Sequence, residues 1–224
     1  MQELIALKRV YFYNADWVEL GTKHDLCELI TEITRIEGRY LLGQAPLETA
    51  SVAKRMSWAA GRDTTRPEDI SYCLMGIFEV QMPLLYGEGG SRAFARLQET
   101  IVAYMPDHSM FAWQNPHIPP DQKVSMLAET PKFTSSIVTY TESLSRTPYQ
   151  MTNSGINIEL SLTKDGPHFV AALDCPHPDQ DQSGYIGIKL YNVPFTENYY
   201  SRTSSNSLEY VAEEGVLDAN AGTV

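Results

Sequence analysis

The chain has 224 residues and a mass of 25.2 kDa, enough for one large domain or two small ones with a core that needs no staples. Hydrophobic residues make up 43% and charged residues 20%, an ordinary globular balance. The 28 acids against 17 bases leave a net charge of −11, which argues against nucleic acid or an anionic membrane as partner. No apolar run reaches about 18 residues, so no membrane span is expected. The opening stretch Met1–Arg9 is too short in apolar residues to read as a signal peptide, and a cytoplasmic location is expected. The charge is uneven: residues 1–105 carry 14 acids and 11 bases, and residues 106–224 carry 14 acids and 6 bases. Cys27, Cys73 and Cys175 lie far apart with no CxxC pair, so a zinc ribbon is not expected and the thiols read as reduced.

The first half reads as helices with one strand. Residues 2–7 look like the end of a helix, and Val10–Tyr13 is β-branched and aromatic, the pattern of a buried strand. Thr22 is placed to cap a helix with Leu26, Leu29, Ile30 and Ile33 on its buried face and Gly38 at its end. A short helix through Tyr40–Leu42 should stop at Gly43. Ser51 caps the next, with Val52, Met56, Ala59 and Ala60 inward and Gly61 as the stop. Thr65 and Glu68 form a capping-box pattern around Pro67, before a helix with Ile70, Cys73, Leu74, Ile77 and Phe78. After Pro83, Gly87-Glu88-Gly89-Gly90 opens a helix carrying Phe94, Leu97 and Ile101.

The second half reads as strands. Ser109–Trp113 and Ile137–Tyr140 are strand candidates, with the proline-rich loop 114–122 between them. Ile156–Leu162 alternates apolar and polar residues, so one face is buried. Lys164-Asp165-Gly166 turns it into a return strand, His168–Leu173. An acidic loop over Pro176–Gly184 leads to the alternating strand Tyr185–Tyr191, and Leu208–Val211 adds one more. Residues from about Asp218 to Val224 should fray. The fold class is therefore α+β: a helical part, then a mostly antiparallel sheet or sandwich.

The chemistry-bearing residues form no self-evident catalytic site. No two of the five histidines have zincin spacing, and Asp107-His108 and His177 with Asp179 and Asp181 read as turn or surface polar groups, so no metal is expected. The Gly87–Gly90 run has the look of an anion nest, but it lacks a P-loop Lys-Ser/Thr pair and carries Glu88, so it reads as a flexible helix start. Lys54, Arg55, Arg62 and Arg66 are expected to pair with Asp63, Glu68 and Asp69.

The run Arg55-Met56-Ser57-Trp58-Ala59-Ala60, then Arg62, then Thr64–Asp69, is similar to the heterokaryon-incompatibility (HET) domain proteins of filamentous fungi. So are Tyr72–Phe78, Met82–Gly89 and Ala93–Glu99, which follow in fixed order. Gln2-Glu3-Leu4-Ile5-Ala6 resembles the end of a HET motif written WTLQELIAP, with Leu7 where that motif has proline. The pieces Asp107-His108-Ser109, Phe111-Ala112-Trp113, Pro148-Tyr149, Met151-Thr152-Asn153 and Gly155 resemble, more loosely, the β-rich region that often follows.

The resemblance implies that residues 1–105 are the C-terminal part of a HET domain, truncated at its N-terminus, and residues 106–224 a β-rich downstream domain with 218–224 as a frayed tail. Its implied role is non-self recognition and incompatibility-triggered programmed cell death. The leading expectation is a fragment acting through protein contacts, with another incompatibility factor or its own missing N-terminal portion as partner and no cofactor. An exposed apolar face should remain where the missing strands would dock. A second reading is a TIR-like NAD-cleaving hydrolase, NAD being its substrate, in which Glu3 would stabilise an oxocarbenium-like centre; the alternative for Glu3 is an N-terminal acid with no partner. Arg55, Arg62 and Arg66 could make an interface or nucleotide contact, or tie helix ends to Glu68 and Asp69. Trp58, Tyr72 and Tyr86 read as core, and Glu88 as a motif residue of structural or interface role. A third reading is a ligand-binding module in the β-rich half, its ligand unknown.

Overall fold

The computed structural model describes residues 2–134, 149–177, 183–196, 199–204 and 208–212, with the backbone of Gly222 and Thr223. The expected strand Ile137–Tyr140, the motif residue Pro148, and Asp179 and Asp181 lie outside the described residues.

The chain is α+β. Six helices, α1 (Gln2–Ala6), α2 (Cys27–Thr34), α3 (Gly38–Leu41), α4 (Val52–Ser57), α5 (Asp69–Phe78) and α6 (Gly90–Val102), are described before the antiparallel sheet begins. They are joined early by a small hairpin, β1 (Tyr11–Tyr13) with β2 (Glu19–Thr22). Strands β3 (Gln150–Thr152) and β4 (Gly155–Asn157) form a second hairpin. The main sheet runs β10-β5-β6-β7-β8, with β9 also on β7; its strands are β5 (Glu159–Asp165), β6 (His168–Pro176), β7 (Tyr185–Asn192), β8 (Tyr200–Arg202), β9 (Glu209–Val211) and β10 (Gly222–Thr223). Every pairing among the described strands is antiparallel.

Thr22 does not cap α2, which begins after Leu26 with no side-chain cap; it closes the turn before the helix, its amide donating to Asp25 Oδ2 at 2.9 Å and the Asp25 amide to Thr22 Oγ1 at 3.3 Å. Two other sequence signals work as read. Ser51 Oγ accepts from the Lys54 amide at 3.2 Å. The turn after Asp165 closes the β5–β6 hairpin with Asp165 opposite His168.

Others are corrected. Val10–Tyr13 is not a buried strand: β1 sits in an isolated two-stranded ribbon, with Tyr11 and Tyr13 about half exposed. Leu29 and Ile33 do not reach a core; only Ile30 of α2 is buried. Gly38 does not end that helix. Arg35, in the left-handed conformation at φ 59°, closes it, and Gly38 begins α3. Ser109–Trp113 is not a strand; His108–Phe111 is a 3-10 turn capped by Asp107, and the whole run is buried rather than alternating. Ile156–Leu162 keeps its alternation, with Ile156, Ile158 and Leu160 inward, but breaks at Ile158 and passes from the small hairpin into the main sheet. Of the tail, Gly222 and Thr223 pair with Leu160 and Glu159 instead of fraying; residues 218–221 and Val224 lie outside the described residues.

The main hydrophobic core runs from Ile30 of α2 through Trp58, Phe78 and Phe94 to Leu173 and Leu190 of the sheet, and a small second cluster of Val170, Ala172 and Val211 lies on the sheet. Two polar devices fasten the helical and sheet sides of the main core. Asp107 caps α4 from outside: its Oδ2 accepts from the Val52 amide at 2.7 Å, while Ser109 Oγ accepts from Ala53 at 3.0 Å. With Ser51 on Lys54, the first three amides of α4 are satisfied. Arg202 of β8, 7% exposed, donates to the Phe111 and Trp113 carbonyls at 2.7 and 2.6 Å and lies over the Trp113 ring at 4.2 Å. Burial lowers its pKa to about 9, still well above neutral, so it is charged at pH 7. No described helix is long and apolar enough to cross a membrane.

Candidate functional site

Arg66, Glu68, Asp69, Tyr72, Tyr86 and Glu88 of the motif residues gather around one loop, Pro83–Gly89, between α5 and α6. Glu68 sits at the start of α5 and is buried at 4% exposure. Its carboxylate Oε1 accepts from the amides of Gly87 and Gly89 at 2.9 and 3.0 Å. Those glycines take φ of 96° and 86°, which side-chain-bearing residues rarely adopt, and so turn both amides toward one point. The loop is therefore an anion nest rather than the flexible helix start expected from its sequence, and the chain's own carboxylate fills it. The amides of Glu68 itself, Gly89 and Gly87 hold its pKa below the usual glutamate range. The expected Thr65–Glu68 capping box is absent because Glu68 is spent on the loop.

Around this brace the remaining motif side chains interlock. Tyr72 receives the Leu85 amide at 2.9 Å and its hydroxyl donates to Glu88 Oε1 at 3.1 Å. Arg96 of α6 bonds both Glu88 oxygens and the Pro83 carbonyl, at 2.9 Å for the last, and this pairing lowers the pKa of Glu88 and raises that of Arg96. Tyr86 donates to Asp69 Oδ1 at 3.0 Å, meets Tyr72 edge-on at 5.6 Å between centroids, and lies under the Arg66 guanidinium at 4.4 Å. The Asp69 hydrogen bond raises the Tyr86 pKa. Tyr86 is thus half exposed rather than core, as are its neighbours Leu84 and Leu85.

The other motif residues lie elsewhere. Trp58 is buried and packs on Tyr40 at 5.4 Å, as its apolar bulk suggests. Arg55 is buried over the Phe78 ring at 4.6 Å, with its pKa lowered by burial. Arg62 donates from Nε to the Trp58 carbonyl at 3.4 Å. The expected ion pairs of these arginines with Asp63, Glu68 and Asp69 do not form: Asp63 faces Lys132 at 3.7 Å, Glu68 holds amides and Asp69 holds Tyr86. Lys54 pairs with Glu37 at 2.6 Å instead.

Glu3 is exposed in the first turn of the five-residue α1, which contains no buried residue, and a hydrogen bond with its own amide lowers its pKa. Of the Arg55–Glu88 motif residues, Arg62 is near enough for its charge to add to that lowering. Asp107 and His108 are not paired as ligands: Asp107 caps α4, and His108 Nδ1 lies 3.3 Å from Asp174 on β6. No group of three metal-ligating side chains occurs among the described residues.

A second feature was anticipated only in general terms. Residues 7–33 present Leu7, Tyr11, Tyr13, Trp17, Val18, Leu20, Leu29 and Ile33 to solvent. Trp17 is 82% exposed and sits at φ 61°, where a bulky residue is strained, held by a turn in which Asn14 Oδ1 accepts from Asp16 and Val18. Lys23 anchors this region from behind, its buried ammonium donating to the Leu4 carbonyl at 3.1 Å and to that of Leu7.

Comparison with known proteins supports the resemblance read from the motifs. The chain is similar to "Vegetative incompatibility protein HET-E-1" of Podospora anserina, 44% identical over 101 residues, which is 45% of this chain and 7% of that protein. It is vegetative-incompatibility-like on this measure, and it spans a small fraction of the length of the curated relative it matches. Residues 92–189 match a family described as a domain of unknown function (DUF8212), whose span runs from α6 across to β7. No solved structure matches.

Proposed function

We propose that this chain takes part in fungal vegetative incompatibility, in non-self recognition that leads to cell death, and that it does so through protein contacts. The observation that supports this reading most is the apolar surface of residues 7–33. Soluble chains bury such residues unless a partner covers them. Here a strained turn holds Trp17 outward, and the adjacent ribbon leaves a pair of tyrosines half exposed. Within the chain Trp17 meets the half-exposed Tyr13 ring at 6.0 Å between centroids and still leaves most of its own surface in water; the strain has a fuller return if Trp17 anchors an interface, where tryptophan is enriched. The motif cluster supplies a rigid base rather than a reacting centre, since Glu68 and Glu88 are engaged by amides and by Arg96.

The test is expression of the chain in a filamentous fungus, scored for growth arrest and death after hyphal fusion, beside the double variant Trp17→Glu and Leu20→Glu. Both residues are exposed, so circular dichroism of the purified variant should match the parent. Loss of the incompatibility response with the fold retained is expected. A response that persists unchanged in the double variant refutes the contact reading.

A further inference from the structure

A cavity of about 540 Å³ opens between the C-terminal ends of α2 and α4, within the size range of small-molecule sites of roughly 300–1,000 Å³. Among the described residues its wall holds three cations, Arg35, Arg62 and Lys132, and no carboxylate. That is a marked local reversal in a chain with 28 acids and 17 bases. The helix ends account for part of it, because C-terminal carbonyls attract cations and Arg62 Nε does reach the Trp58 carbonyl. They do not account for the rest. Arg35 has no ion pair among the described residues, and Lys132 has only Asp63 at 3.7 Å, across an exposed gap. Arg62 and Lys132 also wall an adjoining cavity of about 280 Å³, where Asp63 and Glu129 face them, so the larger cavity is the one whose described wall lacks acids.

A second observation points the same way. Trp58 lines the larger cavity, is 2% exposed, and its buried Nε1–H has no acceptor among the described residues. Buried donors are nearly always satisfied, and an indole N–H can be satisfied only by an acceptor. Arginine forks suit phosphate oxygens in particular.

We propose that this cavity binds a small phosphate-bearing organic molecule, with Arg35, Arg62 and Lys132 on its phosphate oxygens and the Trp58 indole N–H donating to one of its oxygens. The cavity shares Ile33 with the apolar surface of residues 7–33, but neither Trp17 nor Leu20, the pair that tests the protein-contact reading, lines it.

The experiment follows the three indole N–H resonances of the full chain by two-dimensional NMR, with Trp58 assigned by its loss in Trp58→Phe. The chain is titrated with glycerol 3-phosphate, inorganic phosphate and glycerol. Glycerol 3-phosphate should move the Trp58 resonance saturably and leave Trp17 and Trp113, whose Nε1 already donates to the Met126 carbonyl at 2.8 Å, in place. Inorganic phosphate should bind more weakly and glycerol not at all. Arg35→Gln and Lys132→Gln, both at exposed positions, should each weaken binding by about threefold to fivefold, the scale of one exposed charge contact. No saturable Trp58 shift overturns the proposal, as does a shift unchanged in both variants or matched by glycerol. Inorganic phosphate binding as tightly as the ester overturns the assignment to an organic phosphate.

Discussion

Replacing Asp107 tests the joint between the helical and sheet sides of the core. Its two oxygens accept from the Val52 amide at 2.7 Å and the Ser109 amide at 2.8 Å. Val52 and Ser109 are 0% and 1% exposed, so water does not take over when the carboxylate goes. Each stranded donor costs about 1–3 kcal/mol, or about 2–6 kcal/mol for the pair. Part is returned, because burial also makes the charge itself costly and pushes the Asp107 pKa up. A net loss of about 3 kcal/mol is expected for Asp107→Ala, a fall in Tm of about 6–12 °C for a chain of this size. Asp107→Asn keeps one acceptor oxygen and should lose less than half as much. The pH dependence has a definite sign. The folded pKa lies above the unfolded one, so the folded state holds the proton more tightly, and ionising Asp107 costs stability as pH rises from the unfolded value. The advantage of the parent over Asp107→Asn should therefore narrow between about pH 4 and pH 7. Thermal unfolding by circular dichroism at both pH values measures all three quantities. An alanine variant within about 0.5 kcal/mol of the parent, or an asparagine variant as unstable as alanine, would show that the cap is not what joins the two sides.

Three other substitutions probe separate parts of the fold. Ser51→Ala removes the last of the α4 caps and should cost about 1 kcal/mol in the same unfolding assay. Arg202→Met keeps much of the side chain's bulk but strands the buried carbonyls of Phe111 and Trp113, so a loss of about 2–4 kcal/mol is expected, with the near-ultraviolet signal of Trp113 altered. Gly187 lies in β7 where a Cβ would come within 2.5 Å of Val170 Cγ1, and Gly187→Ala should cost about 1–3 kcal/mol through overpacking. Denaturant midpoints for the variants, compared at unchanged slope, check these values.

How far the sequence could be read depended on whether a signal was local. Ser51, the β5–β6 turn and the inward alternation of Ile156, Ile158 and Leu160 all rest on neighbours a few residues away, and all appear in the structure. Thr65 and Glu68 have the spacing of a capping box too, but Glu68 finds better donors 19 and 21 residues later, in glycines whose backbone presents two amides together. The same competition hid the role of Asp107, whose partner Val52 is 55 residues away. Periodicity misled in another manner at α2. The spacing of Leu26, Leu29, Ile30 and Ile33 marks an apolar stripe correctly, yet a stripe does not say what covers it, and Ile33 is 72% exposed. Strands β2 and β8, of four and three residues, are too short for alternation to distinguish them from loop.

The fate of the charged residues separates architecture from opportunity. Glu68 fills its own loop, Glu88 is held by Arg96 and Tyr72, Asp107 caps a helix, and Arg202 spends its donors on carbonyls. In each case the charge sits where the chain would otherwise leave backbone or ring groups unsatisfied, and a group so engaged would have to break those bonds before it could act on a ligand. Arg35 and Lys132 differ: no described backbone group needs them, the described wall of their cavity holds no acid, and the buried indole N–H beside them has no acceptor among the described residues. Conformational economy alone would favour letting such long side chains extend into water, so their convergence on one hollow is best explained by something that enters it.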